Sequence, residues 1–302
     1  MSEIRCIGFV GVGVMGEPMC RHLATKSGRR VLAHDLASEP LARLAEVGVQ
    51  AASLARICEE AELVFLSLPS GEVVERVVQG DAGLLARAEA VQVVVDLSTS
   101  RHDITVRLGT LFEQRGIAFV DAPVMRTRTA AEAGTLAVTV GGTTAAFALV
   151  EPFLRTFASD VLHVGECGAG QVVKILNNMV VYETVLALAE ARAIGVRAGV
   201  DAERLFSAFA TCSADSFALR NQGFKAIAPQ HFPERAFPVI YARKDLGYAV
   251  ALAEQVGIDA TGAKNLIARF DEAIASGYGE KYAPAISLVV ERGTLGRHGN
   301  DW

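Results

Sequence analysis

Cysteine is scarce and poorly placed for cross-linking. The five residues Cys6, Cys20, Cys58, Cys167 and Cys212 are scattered and odd in number, with no C-x-x-C among them. That pattern speaks against a disulfide framework or a zinc site, so no metal is expected, and it fits the reduced thiols of a cytoplasmic protein. No Gly-, Ser- or Pro-rich block reads as a linker, and with 51% hydrophobic and 21% charged residues the chain is not expected to be disordered. Basic residues are in the minority, 29 Lys and Arg against 34 Asp and Glu, for a net charge of −5. General affinity for nucleic acid or an anionic membrane surface is therefore not expected. The most apolar helical stretch, 172–194, is interrupted by Lys174, Asn177, Asn178, Glu183 and Glu190, which argues against a membrane span. No cleavable apolar leader follows Met1, so no export signal is read, and no segment repeats at a fixed period.

The 302 residues leave room for two domains of ordinary size. Over the first half, short β-branched runs at 4–10, 31–34, 63–68, 91–97, 118–121, 136–140 and 161–164 alternate with amphipathic segments such as 41–47 and 104–114. Such alternation implies a mostly parallel sheet with helices on both faces. After Gly165 the strand patterns stop. One helical pattern runs from Gly168 to about Gly199, roughly 48 Å at the usual rise per residue, and further helices are predicted near 202–211, 241–255, 261–276 and 285–292. The expected architecture is α/β: an N-terminal Rossmann-type, doubly wound domain over 1–165, then an all-α domain over 166–302, joined by the long helix.

Two segments carry chemistry. Gly11, Gly13 and Gly16 stand in G-x-G-x-x-G spacing directly after the first strand and before a helix, with Val12, Val14 and Met15 between them. The first glycine permits a tight turn, the second lets backbone approach a phosphate, and the third lets helix and strand pack closely. Asp35 ends the second predicted strand, where a carboxylate accepts hydrogen bonds from an adenosine ribose and repels a 2′-phosphate. NAD is thus expected over NADP, although FAD and S-adenosylmethionine sites use similar loops. In the second segment, Lys174 and Asn178 project from one face of the long helix at i and i+4. A lysine in an apolar stretch is suited to proton transfer, and an asparagine can hold a substrate hydroxyl without adding charge. A lysine reaching to solvent and an asparagine capping a local group is the bland alternative.

The company these residues keep shifts that balance. G-V-G-V-M-G at the start, D-L-S-T at 96–99, D-A-P-V at 121–124, G-x-G-x-x-x-K-x-x-N-N from Gly168 and K-D-L at 244–246 resemble, in order and spacing, the motifs of the β-hydroxyacid dehydrogenase family. The resemblance implies that Lys174 is the catalytic acid/base and that Asn178 helps to bind substrate. It implies cofactor contacts at Leu68, Pro69 and Thr99, and a cofactor contact from Lys244 in the helical domain. It also implies a homodimer or homotetramer.

The pattern breaks in two places: G-Y-G-E-K-Y at 277–282 has Lys281 where the family often carries an acid, and the turn after D-A-P-V is substituted. Most of the family follows D-A-P-V with Ser-Gly-Gly, whereas here Met125, Arg126 and Thr127 follow, with Arg128 next. This resembles the G-R-T variant of sulfolactaldehyde reductases, and a guanidinium fork suits a carboxylate, sulfonate or phosphate. Met125, Arg126 and Thr127 are therefore expected at the substrate, and Arg128 as an exposed loop charge. The expected activity is hydride transfer between NAD and a short anionic 3-hydroxy acid or its aldehyde form. An imine reductase-like enzyme is one alternative, disfavoured by the intact Lys174 and Asn178. A dinucleotide-binding reader without turnover is the other.

Overall fold

In the computed structural model, which describes residues 3–234 and 236–292, internal contacts divide the chain into two units, residues 1–174 and 175–302. The boundary falls within a helix, Ala169–Arg197.

The first unit is built on nine strands: β1 (Cys6–Val10), β2 (Arg30–His34), β3 (Gln50–Ala51), β4 (Leu63–Leu66), β5 (Val93–Asp96), β6 (Ala118–Asp121), β7 (Val124–Met125), β8 (Leu136–Gly141) and β9 (Ala158–Gly165). Their order is β3-β2-β1-β4-β5-β6-β8-β7, with β9 paired to β8. β1 to β6 pair in parallel, while β8 runs antiparallel to both β6 and β7. Side chains alternate across the sheet, so Ile7, Phe9, Leu63 and Phe65 enter one apolar layer while Cys6, Val10, Val64 and Leu66 enter the other. Both faces are buried, which is why these strands read as continuous apolar runs. Phe9 and Phe65, both fully buried, stack with ring centroids 5.9 Å apart. Truncating either to alanine should cost about 3 to 5 kcal/mol.

The order of strand addition switches sides between β1 and β4, which are parallel: β1 leads out to β2 and β3, and β4 returns to the other side of β1. In open α/β sheets the crevice at such a switch point, outside the carboxyl ends of the strands, takes ligands. The Gly16–Lys26 helix opens directly into it.

The second unit holds helices Ala202–Phe209, Val239–Gln255, Thr261–Ala275 and Ser287–Arg292 around the remainder of the long helix. Its core includes Tyr182, Phe206, Leu246 and Phe270. Leu219–Ile227 forms a wider, i→i+5 helix, and Ala283–Ile286 a tighter turn of helix. By length and composition the Ala169–Arg197 helix would suffice to cross a membrane, with a mean hydropathy of 1.4 in its most apolar stretch. Its buried positions, however, include Gln171, Lys174 and Asn178, the pattern of a helix packed within protein.

The structure adds two strands that the sequence pattern did not reveal, β3 and β7, each two residues long. A strand of two residues has too little alternation to register as a period. The mostly parallel sheet is as expected, and its antiparallel part is confined to the β6–β8 region.

Candidate active site

The glycine loop closes by steric necessity at two of its three glycines. Gly11 adopts φ +92°, and a Cβ there would lie 2.2 Å from Ser67 O. At Gly16 a Cβ would meet Gly11 O at 2.0 Å, so the helix can start this close to β1 only without a side chain. Gly13 differs: a Cβ there would meet nothing within 4 Å, and the residue faces open space. Bare backbone beside open space, at the N-terminus of an eleven-residue helix, fits a dinucleotide pyrophosphate. Asp35 sits where β2 ends, and its Oδ2 accepts from Val12 N at 2.7 Å while Oδ1 accepts from Ala37 N at 2.8 Å. The carboxylate thereby fixes the loop and still has lone pairs for ribose hydroxyls. Val14 is exposed and Met15 half-buried.

Leu68 and Pro69 follow β4, and Thr99 follows β5. The Leu68 N–H donates to Ser98 Oγ at 2.9 Å, which ties these two loops together. Thr99 is half-buried between two buried serines and does not cap the next helix, whose N-cap is Arg101.

Beneath this edge lies a buried polar network. Asp96 accepts from Ser98 N at 2.9 Å and from Ser100 Oγ at 2.7 Å. Gln171, on the first turn of the long helix, donates Nε2 to Ser98 O at 2.8 Å and accepts from Ser100 N at 3.0 Å. Asp121, the register partner of Asp96, accepts from Gly168 N at 2.6 Å and Gln171 N at 2.8 Å. Two carboxylates thus anchor the start of the helix that carries Lys174. Burial, only partly offset by the two serines, raises the Asp96 carboxyl to about 6, and burial raises Asp121 as well. Gln171, Asp96 and Asp121 were not among the expected site residues. Their signal was present but quiet: the acids open D-L-S-T and D-A-P-V, and the glutamine interrupts an apolar helix.

Lys174 and Asn178 are both buried on this helix, 9% and 8% exposed. Asn178 donates Nδ2 to Asp245 Oδ2 at 2.8 Å, and Asn177 donates to Asn178 Oδ1 at 3.2 Å. Asp245 is 2% exposed, and Lys244 Nζ lies 3.3 Å from its other oxygen, within ion-pair range though not aligned as a hydrogen bond. The Lys244 ammonium also stands 5.1 Å from the Tyr248 ring centroid and 5.8 Å from that of Tyr241. Asp245 likewise went unpredicted, although it is the middle residue of K-D-L.

Met125 ends β7, and Arg126 and Thr127 follow as exposed residues before the Arg128–Ala133 helix. Arg126 has φ +80°. Its guanidinium donates Nη1 to Thr135 O at 2.6 Å and Ser159 Oγ at 2.9 Å, and Nη2 to Asp160 Oδ2 at 2.7 Å. Arg128, exposed as expected, pairs with Glu132 one turn along its own helix.

Comparison with known proteins then places the chain. Residues 6–165 match the NAD binding domain of 6-phosphogluconate dehydrogenase, and residues 168–288 match the NAD-binding domain of NADP-dependent 3-hydroxyisobutyrate dehydrogenase. The chain belongs to the β-hydroxyacid dehydrogenase family. It is an oxidoreductase with a nicotinamide dinucleotide as cofactor. Among the family's curated members, the 2-(hydroxymethyl)glutarate dehydrogenase of Eubacterium barkeri is 33% identical, over 95% of each chain. The 3-hydroxyisobutyrate dehydrogenase of Pseudomonas aeruginosa is 37% identical, over 83% of this chain and 86% of its own. Among solved structures, the Mycobacterium tuberculosis 3-hydroxyisobutyrate dehydrogenase with L-serine superimposes with a TM-score of 0.87 at 28% identity, covering 95% of this chain and 99% of that one. Within the family's usual Ser-Gly-Gly pattern, Arg126 occupies the first glycine position, and it keeps a backbone conformation that glycine adopts freely.

Proposed function

We propose that this chain is a cytoplasmic, NAD-dependent dehydrogenase that interconverts a short anionic 3-hydroxy acid and its carbonyl form. The observation that carries this reading is the buried pair Lys174 and Asn178, one helical turn apart, with Asn178 held by Asp245. A buried lysine beside a neutral, oriented amide is what proton transfer at a hydroxyl requires.

When bound, the nicotinamide accepts the hydride in oxidation and supplies it in reduction. In oxidation Lys174 Nζ takes the substrate hydroxyl proton, and in reduction it returns a proton to that oxygen. Asn178 orients the hydroxyl. Gly11 to Gly16 hold the pyrophosphate on bare backbone, Asp35 receives the adenosine ribose, and Leu68, Pro69, Thr99 and Lys244 contact the cofactor. A carboxylate at the ribose disfavours a 2′-phosphate, which supports NAD over NADP. Met125, Arg126 and Thr127 form the turn that receives the substrate's acid group. Among anions we favour a carboxylate over a sulfonate, because the fork that argued for sulfonate is committed to Asp160, Ser159 and Thr135. Assembly as a homodimer or homotetramer belongs to the same proposal.

The test is a panel of 3-hydroxy acids and their aldehydes, with carboxylate, sulfonate and phosphate members on one carbon skeleton, followed by NADH absorbance. Turnover of carboxylate members is expected. Tight NADH binding without turnover of any member would favour a non-catalytic reader.

A further inference from the structure

Only two non-glycine residues among those described have positive φ, and one of them, Arg126, lies in the turn that the proposed function gives to the substrate. An L-residue at φ +80° is strained unless its surroundings hold it there. Three hydrogen bonds from one guanidinium do so here. They reach back to the β8–β9 edge, and a local irregularity there places their acceptors. In the β8–β9 register, Leu136 pairs with Ala158 but the next residue, Ala137, pairs with Asp160. Ser159 is therefore an extra residue in β9, and such bulges re-aim the side chains around them. Ser159 Oγ donates to Asp160 Oδ2 at 2.7 Å, so the hydroxyl and the carboxylate act as one acceptor group. The Ser159 hydrogen bond, followed by the Arg126 guanidinium, holds the Asp160 carboxyl below its ordinary value.

The geometry points to Asp160, together with the Ser159 bulge, as a positioning residue for substrate binding: it clamps Arg126 so that the Met125–Thr127 turn holds a glycine-like shape without glycine. This rests on the reading that the turn binds the acid group. It assigns the Arg126 side chain to shaping the turn and leaves recognition of the acid to the turn's backbone and neighbouring groups. A charge 34 residues away, on another strand, thereby sets specificity at the loop.

The experiment compares wild type, Asp160→Ala and Asp160→Ala with Arg126→Gly, measuring KM for the best hydroxy acid, kcat, NADH Kd and thermal midpoint. Asp160→Ala should raise KM by about tenfold as the unclamped turn relaxes, with kcat and NADH affinity within about twofold of wild type. Adding Arg126→Gly should bring KM back to within about threefold, because glycine takes φ +80° unaided. The thermal midpoint should fall in the single variant and recover in the double. A double variant as poor as Asp160→Ala, or poorer, overturns the proposal and returns the guanidinium to the role of anion reader. Recovery of the midpoint with KM unmoved throughout overturns it too, since the clamp would then serve stability alone. If wild type turns over none of the acids, the functional reading has failed, and the pair of thermal midpoints still decides whether the clamp holds the turn.

Discussion

The side-chain amide of Asn178 donates to Asp245 Oδ2 at 2.8 Å, and this one bond joins the long helix to the K-D-L segment of Val239–Gln255. It also fixes which end of the amide is which. With Nδ2 turned to a buried carboxylate, Oδ1, which already accepts from Asn177 Nδ2 at 3.2 Å, keeps a second lone pair for a donor such as a substrate hydroxyl. A hydrogen bond to a charged acceptor contributes about 1.5 to 3 kcal/mol. Asp245→Ala should therefore lower kcat/KM by roughly ten- to a hundredfold, with NADH affinity much less affected. Steady-state kinetics together with NADH titration checks this, and an unchanged kcat/KM would remove Asp245 from the site.

The proposed function gives the choice between NAD and NADP to Asp35. Wild type should prefer NAD(H) over NADP(H) by at least about tenfold in catalytic efficiency. Asp35→Asn keeps an acceptor for Val12 N but removes the charge that opposes a 2′-phosphate, so the ratio should shrink mainly through better use of NADP(H). Equal efficiency with both cofactors in wild type would show that Asp35 does not face the ribose.

Asp96 makes stability depend on pH with a definite sign. Its folded-state value, about 6, lies above the ordinary 3.8 because the carboxyl is buried. Between those values the folded chain retains a proton that the unfolded chain releases, so this residue's contribution is greatest in acid and is lost as pH rises through about 6. The gap corresponds to on the order of 3 kcal/mol. Asp96→Asn removes that dependence and keeps an acceptor for Ser98 N. Unfolding free energies of the two proteins at several pH values should therefore show wild type losing stability relative to the variant between about pH 4 and 6. Parallel curves would show that Asp96 ionises normally.

Much of this could be read from the chain because it is local. The glycine loop between β1 and the Gly16–Lys26 helix, Asp35 directly after β2 and the Lys174–Asn178 pair on the long helix are set by short-range spacing, and each lies at that place in the fold. What escaped the sequence depends on partners distant along the chain. Asp245 meets Asn178 across 67 residues, Gln171 meets Ser98 across 73, and Asp160 meets Arg126 across 34. Arg126 stood out as the departure from Ser-Gly-Gly, but nothing local shows where a flexible arginine will place its fork. Its partner lies beside a bulge, which leaves little trace in a pattern of alternation.

The central claim is that Lys174 moves the proton while the glycine loop holds the cofactor. The most direct measurement is turnover and NADH affinity of Lys174→Ala beside wild type, on the best hydroxy acid of the panel. Loss of a general acid/base typically lowers turnover by about two to four powers of ten, and NADH should bind nearly as well as before. A variant that retains near-normal turnover would contradict the account.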